Sequence, residues 1–247
     1  MKNFWSEQRY QQYIKSISFW NYPEIPFGPF LKKIIKPDDI VADIGCGFGV
    51  ASVYLAQLCR KVYAIDQDSF ALQKVEIAAR EKGVNNIETI CAVWPNLDLG
   101  QCDVIVALYH YHFAHQAEKI AKLKEMTGRA GIISCQGTKE RESFHLDLKK
   151  RLGLPWTEND MNCENGCYVK GRLEQAGFQV KCDMVPHDFG QPVDSIEEAA
   201  LLMIDQLKLD QSYRSEVQRF AQNNLIKIRG QLVIPIKRFN CLLAYYA

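Results

Sequence analysis

The sequence lacks an excess of charge of either sign. Its 247 residues include 30 Lys and Arg against 29 Asp and Glu, which gives a formal net charge of +1 at pH 7. Proteins that bind nucleic acids usually carry a clear basic excess, because phosphate groups attract Lys and Arg. We therefore expect no nucleic-acid partner.

Long apolar runs are also missing. A helix that spans a bilayer needs about 18 or more apolar residues in succession, and residues 1–13 are polar and aromatic, unlike a secretion signal. The nine cysteines are scattered and odd in number, which favours buried free thiols over a disulfide framework. We expect a cytoplasmic protein without a membrane partner, and the sequence leaves its oligomeric state open.

Short apolar segments alternate with segments of helical spacing over the first half of the chain. The predicted strands cover residues 40–44, 61–65, 86–92, 102–108 and 130–135, and the predicted helices cover 50–59, 69–82 and 115–127. Short strands that are apolar on both faces and alternate with helices are typical of an α/β protein with a parallel sheet covered by helices.

This alternation stops after Gly137. Further helices are predicted over 168–176, 195–207 and 212–223, with strands over 179–185 and 239–246. Residues 22–30 contain three prolines and are predicted to be irregular, because Pro interrupts a helix. We predict a single domain, 1–247, in which cap elements 1–30, 138–165 and 187–228 cover a core of 31–137, 166–186 and 229–247.

A glycine-rich loop follows the first predicted strand, with the sequence Asp43-Ile44-Gly45-Cys46-Gly47-Phe48-Gly49. Glycines at a turn from strand to helix let a ligand approach the backbone and the first amides of the helix. The dinucleotide pattern G-x-G-x-x-G fails because Val50 occupies its last position, and no Gly-Lys-Ser/Thr of a P-loop follows. A nicotinamide cofactor and a nucleoside triphosphate are therefore disfavoured.

Two carboxylates accompany the glycine loop. Asp43 lies two residues before the first glycine, where it would repel a pyrophosphate but attract an ammonium group. Asp66 ends the second predicted strand, and a carboxylate there can accept hydrogen bonds from both hydroxyls of a ribose. A ribose and an ammonium group without a diphosphate describe S-adenosylmethionine (SAM).

At these positions the sequence resembles the class I SAM-dependent methyltransferases. The resemblance rests on residues 43–49 and 62–66, on Cys91-Ala92-Val93-Trp94-Pro95 after the third strand, and on residues 102–107 in the fourth. It implies a Rossmann-like sheet of seven strands that is mostly parallel, with helices on both faces, an antiparallel last strand and a helical cap.

The resemblance also implies a set of donor-site residues. Gly45 and Gly47 would let the methionine part of SAM pass close to the backbone, Asp43 would support its ammonium group, and Asp66 would hold the ribose. The other predicted donor-site residues are Cys46, Gln67, Ala92, Val93, Trp94 and Ala107. Ala92, Val93 and Trp94 would line the adenine pocket, although Trp94 could instead be an ordinary core residue.

Histidine and tyrosine side chains are concentrated after the fourth predicted strand, where open α/β sheets bind ligands. Three of the five histidines fall within residues 110–115. We predict His110, Tyr111 and His112 as catalytic residues of the acceptor site, because imidazole titrates near neutrality and Tyr can donate or orient. Capping of the following helix is the alternative for any one of them.

No metal site is predicted. His110, His112 and His115 could surround one ion, but no carboxylate adjoins them, and magnesium prefers oxygen ligands. Cys163 and Cys167, with Cys182 as a third partner, could form a thiol site, but their spacing is not that of a zinc ribbon.

The predicted function is transfer of a methyl group from SAM to an O, N or S nucleophile of a small molecule. In-line displacement mainly requires that nucleophile, methyl and sulfur be aligned. Enzymes that methylate the amino group of adenine in nucleic acids typically have an Asx-Pro-Pro-aromatic turn after the fourth strand. Residues 107–110 are Ala-Leu-Tyr-His instead, which disfavours that reaction. A non-catalytic SAM-binding or sensing protein and an RNA or protein methyltransferase remain as alternatives.

Overall fold

A seven-stranded sheet forms the centre of the structure, a computed structural model that describes residues 6–110, 116–136, 144–155 and 166–247. Its strands are β1 (Ile40–Ile44), β2 (Lys61–Asp66), β3 (Ile87–Cys91), β4 (Cys102–Leu108), β5 (Thr127–Gln136), β6 (Gln179–Asp188) and β10 (Lys237–Tyr246). They lie in the order β3-β2-β1-β4-β5-β10-β6. Strands β1 to β5 pair in parallel, whereas β10 is antiparallel to both β5 and β6. The predicted mostly parallel sheet with an antiparallel last strand is confirmed.

Helices cover both faces of this sheet, because its strands are apolar on both sides. On one face lie α2 (Glu24–Ile34) and α3 (Val50–Ala56), and on the other lie α5 (Ala117–Met126) and α7 (Gly166–Gln175). Helix α4 (Ser69–Glu81) follows β2 and contacts β2 and β3. Asp68 caps the start of this helix, and its side chain accepts hydrogen bonds from the first-turn amides of Phe70 and Ala71.

A second group of elements has a hydrophobic core of its own. It comprises α6 (Phe144–Arg151), β7 (Gln191–Val193), α8 (Ile196–Leu207), α9 (Arg214–Asn224), β8 (Ile226–Ile228) and β9 (Gln231–Ile234). The three strands form a small antiparallel sheet in the order β7-β9-β8. Phe144, Met203 and Phe220 are among the buried residues of this core. The predicted core and cap remain a prediction, but β9 lies within this small sheet rather than in the large one.

The prediction of an irregular segment over residues 22–30 is wrong, because α2 covers most of it. Pro26 lies in the first turn of α2, where its missing N–H would have no partner within the helix. Pro29 lies inside the helix and cannot donate to the carbonyl of Ile25, four residues earlier. Ile25 is 60% exposed, so this turn of the helix lies at the surface.

One pair of cysteines departs from the expectation of free thiols. Cys182 of β6 and Cys241 of β10 form a disulfide, although they are 59 residues apart in the sequence. The insertion of β10 beside β6 brings them together, and local sequence spacing carries no sign of that pairing. Within the described ranges, no helix is both long and apolar enough to cross a membrane.

Candidate functional site

The glycine loop joins β1 to α3 at the carboxyl edge of the sheet. Gly45, Gly47 and Gly49 have φ angles of +71°, +53° and +71°, a region that glycine enters without steric cost. The amides of Gly45 and Cys46 donate to the carbonyl of Ile65 at 2.8 and 3.0 Å. The loop is therefore fixed to the end of β2.

Asp66 holds the loop through its side chain. Its Oδ2 accepts from the amide of Gly47 at 2.9 Å, and its Oδ1 accepts from the amide of Asp68 at 3.0 Å. A carboxylate can accept about four hydrogen bonds, so these two leave acceptor capacity. Asp66 can therefore still accept hydrogen bonds from a ligand, and its role in holding a ribose stays a prediction.

Asp43 is buried at the end of β1, with 1% of its surface exposed. Burial raises its pKa to about 7, the hydrogen bond from Ser52 opposes that increase in pKa, and the nearby Asp66 adds to it. Ser52 Oγ donates to Asp43 Oδ2 at 2.6 Å. Sequence reasoning missed Ser52, whose only signal is its position in the first turn of the helix after the loop. A ligand cation beside Asp43 would favour the ionised carboxylate.

The predicted adenine-pocket residues differ in their exposure. The amide of Ala92 donates to the carbonyl of Asp66 at 3.0 Å, which attaches this segment to the end of β2. Val93 is 46% exposed, whereas Trp94 is 7% exposed and packs into the core on the α5 face. The burial of Trp94 agrees with the alternative prediction that it is a core residue. Val93 has the side chain that is more accessible to a ligand.

The remaining predicted donor-site residues lie around the same edge. Cys46 is half-buried, and burial raises the pKa of its thiol well above the usual range. Gln67 is exposed, and its carbonyl accepts a hydrogen bond from Cys91 Sγ at 3.7 Å. Ala107 is fully buried in β4, so its side chain supports the site from within the core.

His110 lies directly against the glycine loop. A Cβ added to Gly45 would overlap Cδ2 of His110 and would lie 2.9 Å from its Cγ. The imidazole thus occupies the space that a side chain at position 45 would need. Tyr111 and His112 lie outside the described residues, so their catalytic role stays a prediction.

Tyr109 forms a hydrogen-bond network that sequence reasoning missed. Its φ angle is +58°, which is uncommon for a residue other than glycine. Its Oη accepts from Asn240 Nδ2 at 2.6 Å and lies 3.0 Å from Nε2 of His187. These partners are 131 and 78 residues away in sequence, and only the insertion of β10 beside β6 brings them to the end of β4.

Helix α1 (Glu7–Trp20) lies over the glycine loop. The rings of Tyr10 and Tyr13 are 4.9 and 5.7 Å from the ring of Phe48. At the other end of the helix, Trp20 Nε1 donates to the carbonyl of Gly190 at 2.7 Å. The helix therefore connects the loop to the segment that precedes the small sheet.

Candidate metal ligands are not brought together in the part of the chain that the structure describes. No group of three or more His, Cys, Asp and Glu side chains there could hold an ion. The disulfide withdraws Cys182 from the considered thiol site. His112, His115 and Cys163 lie outside the described residues.

Comparisons with known proteins agree with this geometry. Residues 41–129 match the family model described as a methyltransferase domain. This range contains the glycine loop, Asp66, residues 91–95 at the end of β3, and the Tyr109-His110 pair. The predicted resemblance to the class I SAM-dependent methyltransferases is confirmed for this part of the chain. The methyltransferase domain makes the protein an enzyme with SAM as its cofactor.

Two curated proteins illustrate the range of relatives. A probable cobalt-precorrin-6B C(15)-methyltransferase (decarboxylating) of Methanococcus maripaludis is 25% identical over 161 residues, which cover 65% of this chain and 74% of that protein. A ribosomal protein L11 methyltransferase of Thermoanaerobacter sp. is 35% identical over 82 residues, which cover 32% of this chain and 26% of that protein. The chain thus matches only about a quarter of the length of the L11 enzyme.

Solved structures with the same fold cover nearly the whole chain. The YcgJ protein from Bacillus subtilis has a TM-score of 0.59 at 13% identity, covering 90% of this chain and 98% of that one. A magnesium protoporphyrin IX methyltransferase from Synechocystis, solved with bound S-adenosylhomocysteine, has a TM-score of 0.56 at 15% identity, covering 98% and 88%. At such identities the likeness establishes the fold.

Proposed function

We propose that this enzyme transfers the methyl group of SAM to an O, N or S atom of a small molecule by in-line displacement. The main observation behind this proposal is the contact between His110 and Gly45. This contact joins the segment after β4 to the loop that we assign to the methionine part of SAM. The names of two similar proteins, which refer to a cobalt-precorrin and to magnesium protoporphyrin IX, also support a small-molecule acceptor.

Each donor-site residue has a proposed task. Asp43 attracts the ammonium group of SAM, Asp66 accepts from the ribose hydroxyls, and Gly45 and Gly47 allow close approach of the methionine part. The adenine lies beside Val93. The remaining proposed contacts are Cys46, Gln67, Ala92, Trp94 and Ala107.

The acceptor side is assigned to the segment that follows β4. We propose that His110, with Tyr111 and His112, orients the nucleophile toward the methyl group. During transfer, a bond forms between the nucleophile and the methyl carbon while the bond from that carbon to sulfur breaks. The products are the methylated acceptor and S-adenosylhomocysteine.

A transfer assay with labelled SAM tests this function. We expect methyl incorporation into at least one of a panel of phenols, amines, thiols and carboxylic acids, because the protein must mainly align the reactants. Replacing His110 by Ala should lower the rate by about tenfold or more while the Kd of SAM changes little. Tight SAM binding with no transfer to any small molecule, but with transfer to ribosomal protein or RNA, would contradict the small-molecule proposal.

The raised pKa of Asp43 predicts a pH dependence of SAM binding. The carboxyl is half-ionised near pH 7, and each pH unit below its pKa reduces the ionised fraction about tenfold. The α-amino group of SAM stays protonated below about pH 7.7. We expect the Kd of SAM to increase by about tenfold between pH 7 and pH 5.5, measured by titration calorimetry.

The matched control for this pH dependence is Asp43→Asn. An amide keeps the shape of the side chain but does not titrate, so the Kd of this variant should be weak and nearly constant over the same pH range. The same slope in both proteins would mean that another group is responsible.

A further inference from the structure

A polar cluster lies at the carboxyl edge of the sheet between β4, β6 and β10. It consists of Tyr109, His187, Arg238 and Asn240, which we call the edge cluster. Arg238 pairs directly with His187 across β10 and β6, and Asn240, which pairs with Val185, lies two residues further along β10. Directly paired residues of antiparallel strands project from the same face. The edge cluster therefore combines side chains from the ends of three strands, β4, β6 and β10.

The hydrogen bonds of the edge cluster have a defined direction. The amide nitrogen of Asn240 can only donate, so Tyr109 Oη is the acceptor in that bond. The hydroxyl proton of Tyr109 is then directed at His187 Nε2, 3.0 Å away. Nε2 can accept it when the other ring nitrogen carries the proton, and Nδ1 lies 3.3 Å from the carbonyl oxygen of Val185.

The surroundings of His187 favour its neutral form. Burial lowers the pKa of His187, and the cation of Arg238 from β10 lowers it further. The carbonyl of Val185 and the carboxylate of Asp188, both on β6, act in the opposite direction. Helix α2 presents the ring of Phe27, 5.6 Å away, which carries no charge. The imidazole can thus accept a proton near neutral pH.

Aromatic rings and a cation adjoin this hydrogen-bonded pair. The guanidinium of Arg238 lies 4.8 Å from the centre of the Tyr109 ring and 4.2 Å from that of Phe189. The ring of Tyr22 is 5.6 Å from Phe189. A fixed cation beside aromatic rings suits an aromatic ligand that carries or develops negative charge.

Two further features mark this edge as a functional site. Tyr109 is held at a positive φ, and such strained residues are concentrated at active sites. Ser134 of β5 pairs with Leu108, the residue before Tyr109. Its hydroxyl is buried and has no hydrogen-bond partner among the described residues. The carboxyl edge of the sheet therefore offers one more polar group beside β4.

We propose that the acceptor is a hydroxylated aromatic compound, and that Tyr109 and His187 remove its hydroxyl proton during methyl transfer. This inference rests on the small-molecule function proposed above. The acceptor hydroxyl gives its proton to Tyr109 Oη as the Tyr109 proton passes to His187 Nε2. The phenolate oxygen bonds the methyl carbon, the bond from carbon to sulfur breaks, and S-adenosylhomocysteine leaves with imidazolium remaining at His187.

The chemistry of the edge cluster disfavours carboxylic acids and amines as acceptors. A carboxylate is already ionised at neutral pH and needs no proton acceptor. A protonated amine would be repelled by the cation of Arg238. A phenol benefits from both groups, because it must lose a proton and its anion is stabilised by the guanidinium.

The test compares 4-nitrophenol and catechol with benzoate and benzylamine as methyl acceptors. We expect transfer to the phenols, and a decrease in kcat of about 100-fold or more for Tyr109→Phe, because a positioned acid or base contributes about that much. The Kd of SAM should not change. Tyr245→Phe is the matched control, since Tyr245 is fully buried with its hydroxyl 3.4 Å from Thr127, away from the edge cluster.

A pH profile separates proton transfer from a purely structural effect. In the wild-type enzyme, with SAM at a saturating concentration at every pH so that Asp43 does not contribute, kcat/KM for catechol should fall at acidic pH, as His187 becomes protonated and cannot accept. His187→Gln keeps a hydrogen-bond acceptor but does not titrate, so its rate should be low and should lack this acidic limb. An unchanged melting temperature verifies that each variant is folded.

Several outcomes would overturn this inference. They are equal activity of Tyr109→Phe and Tyr245→Phe, an acidic limb that persists in His187→Gln, and SAM binding without methylation of either phenol. In the last case, transfer to benzylamine, benzoate or a thiol would leave the proposed function intact. Failure of every small molecule, with ribosomal protein or RNA methylated instead, would remove both proposals.

Discussion

Asp66→Ala is expected to weaken SAM binding by about 2–4 kcal/mol, or about 30- to 1,000-fold in Kd, for the loss of two charge-assisted hydrogen bonds to the ribose. The variant also removes the acceptor of the Gly47 amide, which loosens the loop that approaches the methionine part. Both effects act in the same direction. Titration calorimetry with SAM and with S-adenosylhomocysteine measures the change.

The control for this prediction is Glu88→Ala on the neighbouring strand β3. Glu88 is a half-exposed carboxylate that pairs with Lys61 at 2.7 Å, and exposed ion pairs contribute little to stability. Its removal should change the Kd of SAM by less than about twofold. An unchanged Kd in Asp66→Ala would contradict the ribose-binding role.

Gly45→Ala is expected to impair both SAM binding and methyl transfer. Alanine at a φ of +71° costs about 1–2 kcal/mol, and its Cβ would overlap the ring of His110. One of these groups must move, so the loop and the predicted acceptor residue are displaced together. We expect the Kd of SAM to rise by at least about tenfold and the transfer rate to fall further.

Gly83→Ala provides a matched control for backbone strain. Gly83 has a φ of +65°, and no atom lies within 4 Å of a Cβ added there. It should therefore show only the backbone cost, seen as a lower melting temperature with normal SAM binding. The double variant Gly45→Ala/His110→Ala should recover part of the lost SAM affinity, because the overlap is removed. Equal behaviour of Gly45→Ala and Gly83→Ala would show that the contact with His110 has no role.

The donor half of the site could be predicted from the sequence because its determinants are local. The glycine loop and Asp66 follow consecutive strands of a parallel sheet, and such strand ends meet at one edge. The boundaries of β1 and β4 agree with the prediction because each strand is mostly apolar. Asp43 and Asp66 could therefore be predicted to lie near each other without knowledge of the complete strand order.

The edge cluster could not be predicted because its members come from distant parts of the chain. His187 and Asn240 reach Tyr109 only when β10 inserts between β5 and β6, and no local pattern encodes that pairing. The strands of the small sheet were missed for a different reason. β7 and β8 have three residues each, which is too short for an alternating apolar pattern to be visible.

The position of β10 has a consequence for the biosynthesis of the enzyme. Residues 237–246 are translated after every other strand that the structure describes, yet they occupy an inner place in the large sheet. While the chain emerges from the ribosome, β1 to β5 can already pair, but β6 has no neighbour in that sheet. Until β10 arrives, the open side of β5 exposes unpaired backbone groups, a known starting point for aggregation. We therefore expect rapid insertion of β10 to limit the aggregation of nascent chains of this enzyme.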